Sequence, residues 1–330
     1  MTTTDKNTIN LFELGTLVNL KIGVWSGRKM LTRADLVKMG YENQENLPSD
    51  IVNLGRKLMV PKEELQAFDQ ISQKARKILE QWSIPFCVAS AHFVPNNILT
   101  TVEQQLKDLK EEFFNRVDSF MVRFDDTVGK IKEDHPDFWE KCLKGNYPAS
   151  TKHLRKRYKF DWYLFQIAGI GSIQETTVEE VSAKQKIQIE REKELRQQMQ
   201  KEVEKFVGEY VAAMRQETIE FCDMMTARVS GQPYKDEEKS KKLTARSITS
   251  YRKYVDRFRK MNIFEDQDIE KMLTEFSEMF LDSTASPEDF ESTTVQDGVT
   301  NALNSIRQKA AAEGENAGGF LGELKRRIIL

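Results

Sequence analysis

The chain has 330 residues, of which 39% are apolar and 31% charged, and its net charge is −2. That balance excludes a surface that is basic throughout and made for a polyanion. The high charged fraction suits long exposed helices better than one compact globule. Cys87, Cys142 and Cys222 are odd in number and widely spaced. They read as free thiols in a reducing compartment, not as a disulfide frame. The first residues are polar and lack the apolar core of a signal peptide. No apolar run is long enough for a bilayer span, so a cytoplasmic location follows by elimination.

In chain order, residues 17–25 place Val18, Leu20, Ile22 and Val24 on one face, the alternation of a half-buried strand, with a turn at Trp25-Ser26-Gly27. A second β-like run, Phe86–Val94, is bounded by Pro85 and Pro95, and Lys57–Val60 before Pro61 reads as a third. Helical stretches are expected near 32–39 and 62–82. Residues 1–96 therefore read as a small α+β unit.

From Ile98 the apolar positions are Val102, Leu106, Leu109, Phe113, Val117, Phe120, Phe124, Val128 and Ile131. Their steps of 4, 4 and 3 give an 11-residue repeat and one continuous stripe. The spacing predicts a helix over 97–134, roughly 55 Å long at about 1.5 Å per residue. Asn96 and Asn97 read as its N-caps, and Pro136 as its stop. A second long helix is expected over 176–229, with Met199, Val203, Phe206, Tyr210, Met214, Thr218, Phe221, Met225 and Val229 on one face. Its first half, Lys184–Gln198, is nearly all polar, and a helix that polar either projects into solvent or meets something outside this chain. Short helices near 136–144 and 150–157 join the two.

Two shorter amphipathic helices follow, over 243–261 and 266–281. Residues 283–330 read as a largely flexible tail with one helix near 295–312. The fold class is mainly α: two long antiparallel amphipathic helices forming a coiled-coil-like rod, a small N-terminal α+β unit and a helical C-terminal region. The expected divisions are 1–96, a helical hairpin over 97–232, a helical region over 233–282, and the tail.

Catalytic patterns fare poorly. His92, His135 and His153 are the only histidines, and with the cysteines they complete no four-ligand metal pattern. There is no GxSxG and no GxxxxGK[ST]. Asp125-Asp126 and Glu133-Asp134 are neighbours that diverge by about 100° on a helix and read as a solvated face. Gly169-Ile-Gly171 lacks the third glycine of a dinucleotide loop. The reading is non-enzymatic, with no cofactor, metal or catalytic residue. The strongest surface feature is Lys152–Tyr163, where Lys152, Arg155, Lys156, Arg157 and Lys159 interleave with Tyr158, Phe160 and Trp162, as on many nucleic-acid surfaces. The bland alternative is that the apolar members pack and the cations face water. A second basic stretch, 246–260, carries Arg252, Lys253 and Arg257. The chain closes on an apolar and basic segment in which Phe320, Leu321, Leu324, Ile328, Ile329 and Leu330 could dock on a partner.

Five segments together resemble the DUF3150 family: Leu17-Val-Asn-Leu-Lys-Ile-Gly-Val-Trp-Ser-Gly-Arg28, Leu47-Pro48, Gly55-Arg-Lys-Leu-Met-Val-Pro61, Phe93-Val-Pro95 and Tyr158-Lys-Phe-Asp-Trp162. The resemblance covers about residues 10–230. It implies a protein of bacteria, phages or mobile elements, encoded near MoxR-type AAA+ ATPases and proteins with von Willebrand factor A domains. It supplies no catalytic residues. The expectation is a non-enzymatic adaptor of such an ATPase. The alternatives are a nucleic-acid-binding protein of a mobile element and a self-assembling homo-oligomer.

Overall fold

The computed structural model describes residues 9–40, 54–86, 90–166, 183–281, 285–312, 324 and 328–329. The elements run β1 (Ile9–Asn10), α1 (Leu11–Leu14), β2 (Gly15–Gly23), β3 (Arg28–Met30), α2 (Arg33–Lys38), β4 (Arg56–Leu58), α3 (Lys62–Trp82), β5 (Ile84–Pro85), β6 (His92–Pro95) and α4 (Asn96–Asp134). After α5 (Pro136–Phe138) come a π-helical turn, Trp139–Leu143, and a 3-10 turn, Lys144–Asn146. Then follow α6 (Thr151–Arg155), β7 (Lys159–Phe165), α7 (Ala183–Val229), α8 (Ala245–Met261), α9 (Gln267–Phe280), a 3-10 turn at Pro287–Phe290, α10 (Thr293–Ala312) and β8 (Ile328–Ile329). The protein is mainly helical, with a small antiparallel sheet near its N-terminus in the strand order β5-β6-β2-β7.

Two compact units are built from interleaved stretches of chain. Unit 1 comprises Met1–Val18, Trp82–Thr100 and Leu164–Leu330; unit 2 comprises Asn19–Gln81 and Thr101–Tyr163.

Unit 2 takes its core from α3 and α4. The 11-residue repeat of α4 puts Val102, Leu106, Phe113, Val117, Phe120 and Phe124 on one buried stripe. On α3, Leu65, Phe68, Ile71, Ala75 and Leu79 recur at steps of three and four and are likewise buried. Phe68 meets Phe113 and Phe120 edge to face at 5.7 and 5.9 Å. Each such side chain contributes about 1.5–3 kcal/mol on burial. Beside this core, Thr32 and Asp35 close a capping box at the start of α2, and Lys57 donates to both Asp35 carboxylate oxygens at 2.9 and 2.8 Å and to the Cys142 carbonyl at 2.8 Å. Burial alone would push the Asp35 carboxyl up; Lys57 and Thr32 outweigh it and hold it below the usual range.

Unit 1 is organised on α7. From Val203 onward its face carries Phe206, Val207, Tyr210, Met214, Phe221, Met225 and Val229, all buried. Against them lie Ile248, Tyr251, Val255 and Phe258 of α8, Ile269, Leu273 and Phe276 of α9, and Val299, Leu303 and Ile306 of α10. Arg215 on α7 donates to Asp266, just before α9, at 3.0 and 2.6 Å. Val102–Phe124 of α4 thus supply buried residues to unit 2, and Val203–Val229 of α7 to unit 1. Asn96 and Asn97 stand one residue apart at the start of α4, but their side chains serve unit 1 instead of capping. Asn96 accepts from Thr16 and donates to the Glu13 carbonyl, and Asn97 donates to the Lys260 carbonyl.

Candidate functional site

Three surfaces were expected from the sequence, and the structure places each differently. The first begins at Ser150, whose side chain accepts from the His153 backbone N–H and starts α6. Leu154, Tyr158 and Phe160 turn inward and are buried, while Lys152, Arg155, Lys156, Arg157 and Lys159 are exposed. The change from helical spacing to alternation at Tyr158 marks the entry into β7 and fixes this division. Arg155 is committed to Asp118 at 2.9 Å and lies 5.6 Å from the Phe114 ring. Lys152, Lys156, Arg157 and Lys159 have no ion-pair partner among the described residues.

On β7 itself Lys159, Asp161 and Tyr163 share a face by alternation. Tyr163 is 54% exposed, and the Asp161 carboxylate sits between it and Lys159, paired with Lys110 at 2.9 Å. Trp162 is half-buried, with Lys110 over its ring and its indole N–H donating to Glu103 at 3.4 Å. Chemically this strip offers point charges for an anion. It offers one exposed ring for stacking, next to a carboxylate that repels phosphate.

The second basic group is used internally. Arg252 donates to the Leu281 carbonyl at 2.8 Å and to the Ala285 carbonyl at 3.4 Å, beyond the end of α9. Arg257 pairs with Glu217 on α7. Of the three residues expected there, Lys253 is exposed and Arg252 and Arg257 are partly buried.

The third surface is the closing segment. Phe320, Leu321 and Leu330 lie outside the described residues. Leu324 is 2% exposed and belongs to the unit 1 core. Ile328 and Ile329 form β8, paired in parallel with Ile9 and Asn10 of β1. A side chain that buried is not presented to a partner, and truncation at residue 314 would remove a core residue along with any docking element.

The feature of Lys184–Gln198 is different in kind. Helix α7 continues through it, and its described side chains, Glu190, Arg191, Lys193, Glu194, Leu195, Gln197 and Gln198, are all exposed. The core begins only at Val203. Residues 169–174 and Cys87, also singled out in the sequence, lie outside the described residues. His92 is bonded to Ser83 through Nδ1 at 2.9 Å, and His153 to Ser150 at 2.8 Å. Cys222 and Cys142 are buried, and burial pushes both thiols up, Cys222 to about 12.

The sequence model of the DUF3150 family, described as a protein of unknown function, matches residues 14–280. The chain belongs to the DUF3150 family. No curated protein and no solved structure matches it. The DUF3150 match runs past residue 230, where the resemblance read from the motifs ended, and takes in α8 and α9. Helix α10 lies outside the DUF3150 match, yet it supplies Val299, Leu303, Ile306 and Ala310 to the same core. Four of the five segments that carried the resemblance fall on β2, the β3–β4 pair, β6 and β7, and Leu47-Pro48 lies outside the described residues. The β3–β4 pair and the Lys57–Asp35 bond beneath it were missed as a unit in the sequence. Lys57–Val60 reads as a strand, and the Thr32-x-x-Asp35 spacing is the signature of the α2 capping box, but neither announces the pairing with β3.

Proposed function

We propose that this DUF3150 protein is a non-enzymatic helical adaptor, an accessory partner of a MoxR-type AAA+ ATPase that works with a von Willebrand factor A protein. Its setting is the cytoplasm of a bacterium that encodes it directly or through a phage or mobile element. The observation that carries the reading is the amino-terminal part of α7, where the helix runs from Ala183 to its first core residue, Val203, and the described side chains of residues 190–198 are all exposed. A helical segment of that length has little stability of its own in water. One that is polar all round is suited to meeting a partner. The coiled-coil-like rod of two long antiparallel helices, read from the sequence, is kept as part of this reading. The identity of the partner rests on the family resemblance.

The test is recovery of tagged full-length protein from its own host, with and without ATP, followed by mass spectrometry. The adaptor reading expects a MoxR-type ATPase whose recovery changes with ATP. It further expects reversal of the charges at Glu190, Arg191, Lys193 and Glu194 to reduce that recovery without lowering the melting temperature. Recovery of nucleic acid alone, or of a second copy of the chain alone, contradicts it.

A second reading, nucleic-acid binding, is favoured by the four exposed cations Lys152, Lys156, Arg157 and Lys159. It predicts affinity that falls steeply with salt, because bound phosphates release counterions. Replacing Lys156 and Arg157 by alanine should flatten that dependence, and an unchanged slope removes this reading.

A further inference from the structure

Strands β3 and β4 of unit 2 form an antiparallel ribbon in the register Arg28↔Leu58, Lys29↔Lys57 and Met30↔Arg56. Opposed residues share a face, and faces alternate along each strand. Lys29 and Lys57 therefore take one face, where Lys57 is buried on Asp35. Arg28, Leu58, Met30 and Arg56 take the other, with the arginines at one pair of diagonal corners and the apolar residues at the other. All four are exposed, Met30 by 54% and Leu58 by 45%. Neither arginine has an ion-pair partner among the described residues.

The ribbon holds this face in a fixed geometry. Its ladder is extended at both ends, by the Leu31 N–H donating to the Gly55 carbonyl at 3.1 Å and the Met59 N–H donating to the Gly27 carbonyl at 2.7 Å. Gly27 and Gly55 lead into the two strands at φ +59° and +80°, a conformation that favours glycine. At Gly27 an added Cβ would also lie 2.5 Å from Leu65 Cδ1. The face is thus made in advance of any partner, which lowers the cost of binding.

We propose that this face docks an extended segment of a protein partner in which a carboxylate and an apolar side chain alternate at every second residue. The proposal rests on the adaptor reading and names a second contact within it. Charge complementarity selects the occupant. Two guanidinium groups without an ion-pair partner among the described residues call for two carboxylates, which arginine binds in a bidentate, planar fashion. Met30 and Leu58 call for apolar side chains between them. Residues two apart on a strand are about 7 Å apart, so an extended segment reproduces the Arg28–Met30 spacing residue for residue. A nucleic-acid backbone would satisfy the arginines and leave Met30 and Leu58 against phosphate.

The test uses the full-length protein and a fluorescein-labelled peptide, Glu-Ser-Leu-Ser repeated twice, read by anisotropy. The expected result is saturable binding, weakened at least tenfold by Arg28→Glu with Arg56→Glu and several-fold by Met30→Ser with Leu58→Ser. A peptide with serine in place of leucine should bind several-fold more weakly, and an eight-residue oligothymidylate more weakly still. All four substitutions are at the surface, so the thermal melt of each variant should match the parent. No saturable binding up to millimolar peptide, equal affinity in the variants, or preference for the oligothymidylate would overturn the proposal. Should the arginine variant keep its ATP-sensitive partner and lose nothing in the titration, the ribbon is not the contact and the adaptor reading stands. Loss of the partner reading with the titration intact leaves an acidic-segment site without an ATPase.

Discussion

Tyr158 is buried among Phe68, Phe113 and Phe120, and its hydroxyl has no hydrogen-bond partner among the described residues. A buried unsatisfied hydroxyl costs about 1–3 kcal/mol, so Tyr158→Phe should raise stability by about 1 kcal/mol in chemical denaturation. A loss instead would mean that the hydroxyl has a partner. Lys57 is the opposite case. Lys57→Ala leaves the Asp35 carboxylate buried and unpaired, and the expected loss is about 3–5 kcal/mol; a loss below 1 kcal/mol would show that Asp35 is solvated. A third residue gives a pH signature. The Arg228 guanidinium, bonded to both oxygens of Glu237 at 2.6 and 2.8 Å, and Lys241 at 2.6 Å hold that carboxyl down at about 2, from an ordinary 4.5. A depressed carboxyl stabilises the fold fully above its unfolded value and loses that stabilisation as pH falls through the folded value. Glu237→Gln should therefore melt below the parent at pH 7, and the gap should close between pH 4.5 and 2. A gap constant with pH would rule out the ion pair as its cause.

Among the elements, α10 makes the clearest claim. Leu303 is fully buried against α7 and α9. Leu303→Ala should cost about 2–5 kcal/mol, and a cost near zero would mean that α10 is not docked. The helices were legible in the sequence because their apolar periods are long. The 4-4-3 repeat predicted a helix over 97–134, and α4 spans Asn96–Asp134. Proline and alternation placed β2 and β4 to within two residues. Strand β7 was not read as a strand, because its alternation, Phe160, Trp162 and Leu164, was masked by the neighbouring cations and by apolar Tyr163 on the other face. Strands β1 and β8 are two residues long and pair across the length of the chain, and no local pattern announces such a pairing. The basic stretches were legible as composition only. Which cations are free depends on partners such as Glu217 and the Leu281 carbonyl, which are distant in sequence.

At the scale of the whole molecule, the buried charges are paired with named partners within each unit, and no helix among the described residues is long and apolar enough to cross a membrane. Most of α7 and all of α8, α9 and α10 are occupied with one another. Among the described residues, those at 190–198 of α7 and the outer face of the β3–β4 ribbon are exposed, and the adaptor reading and the inference built on it put the partner there. Hydrogen–deuterium exchange of the full-length protein, alone and with the ATPase partner plus ATP, tests that claim most directly. The account predicts that amides of 183–201 exchange far faster than those of 203–229 in the protein alone and become protected when the partner binds. Protection of 183–201 in the protein alone, or exchange there that the partner leaves unchanged, would contradict it.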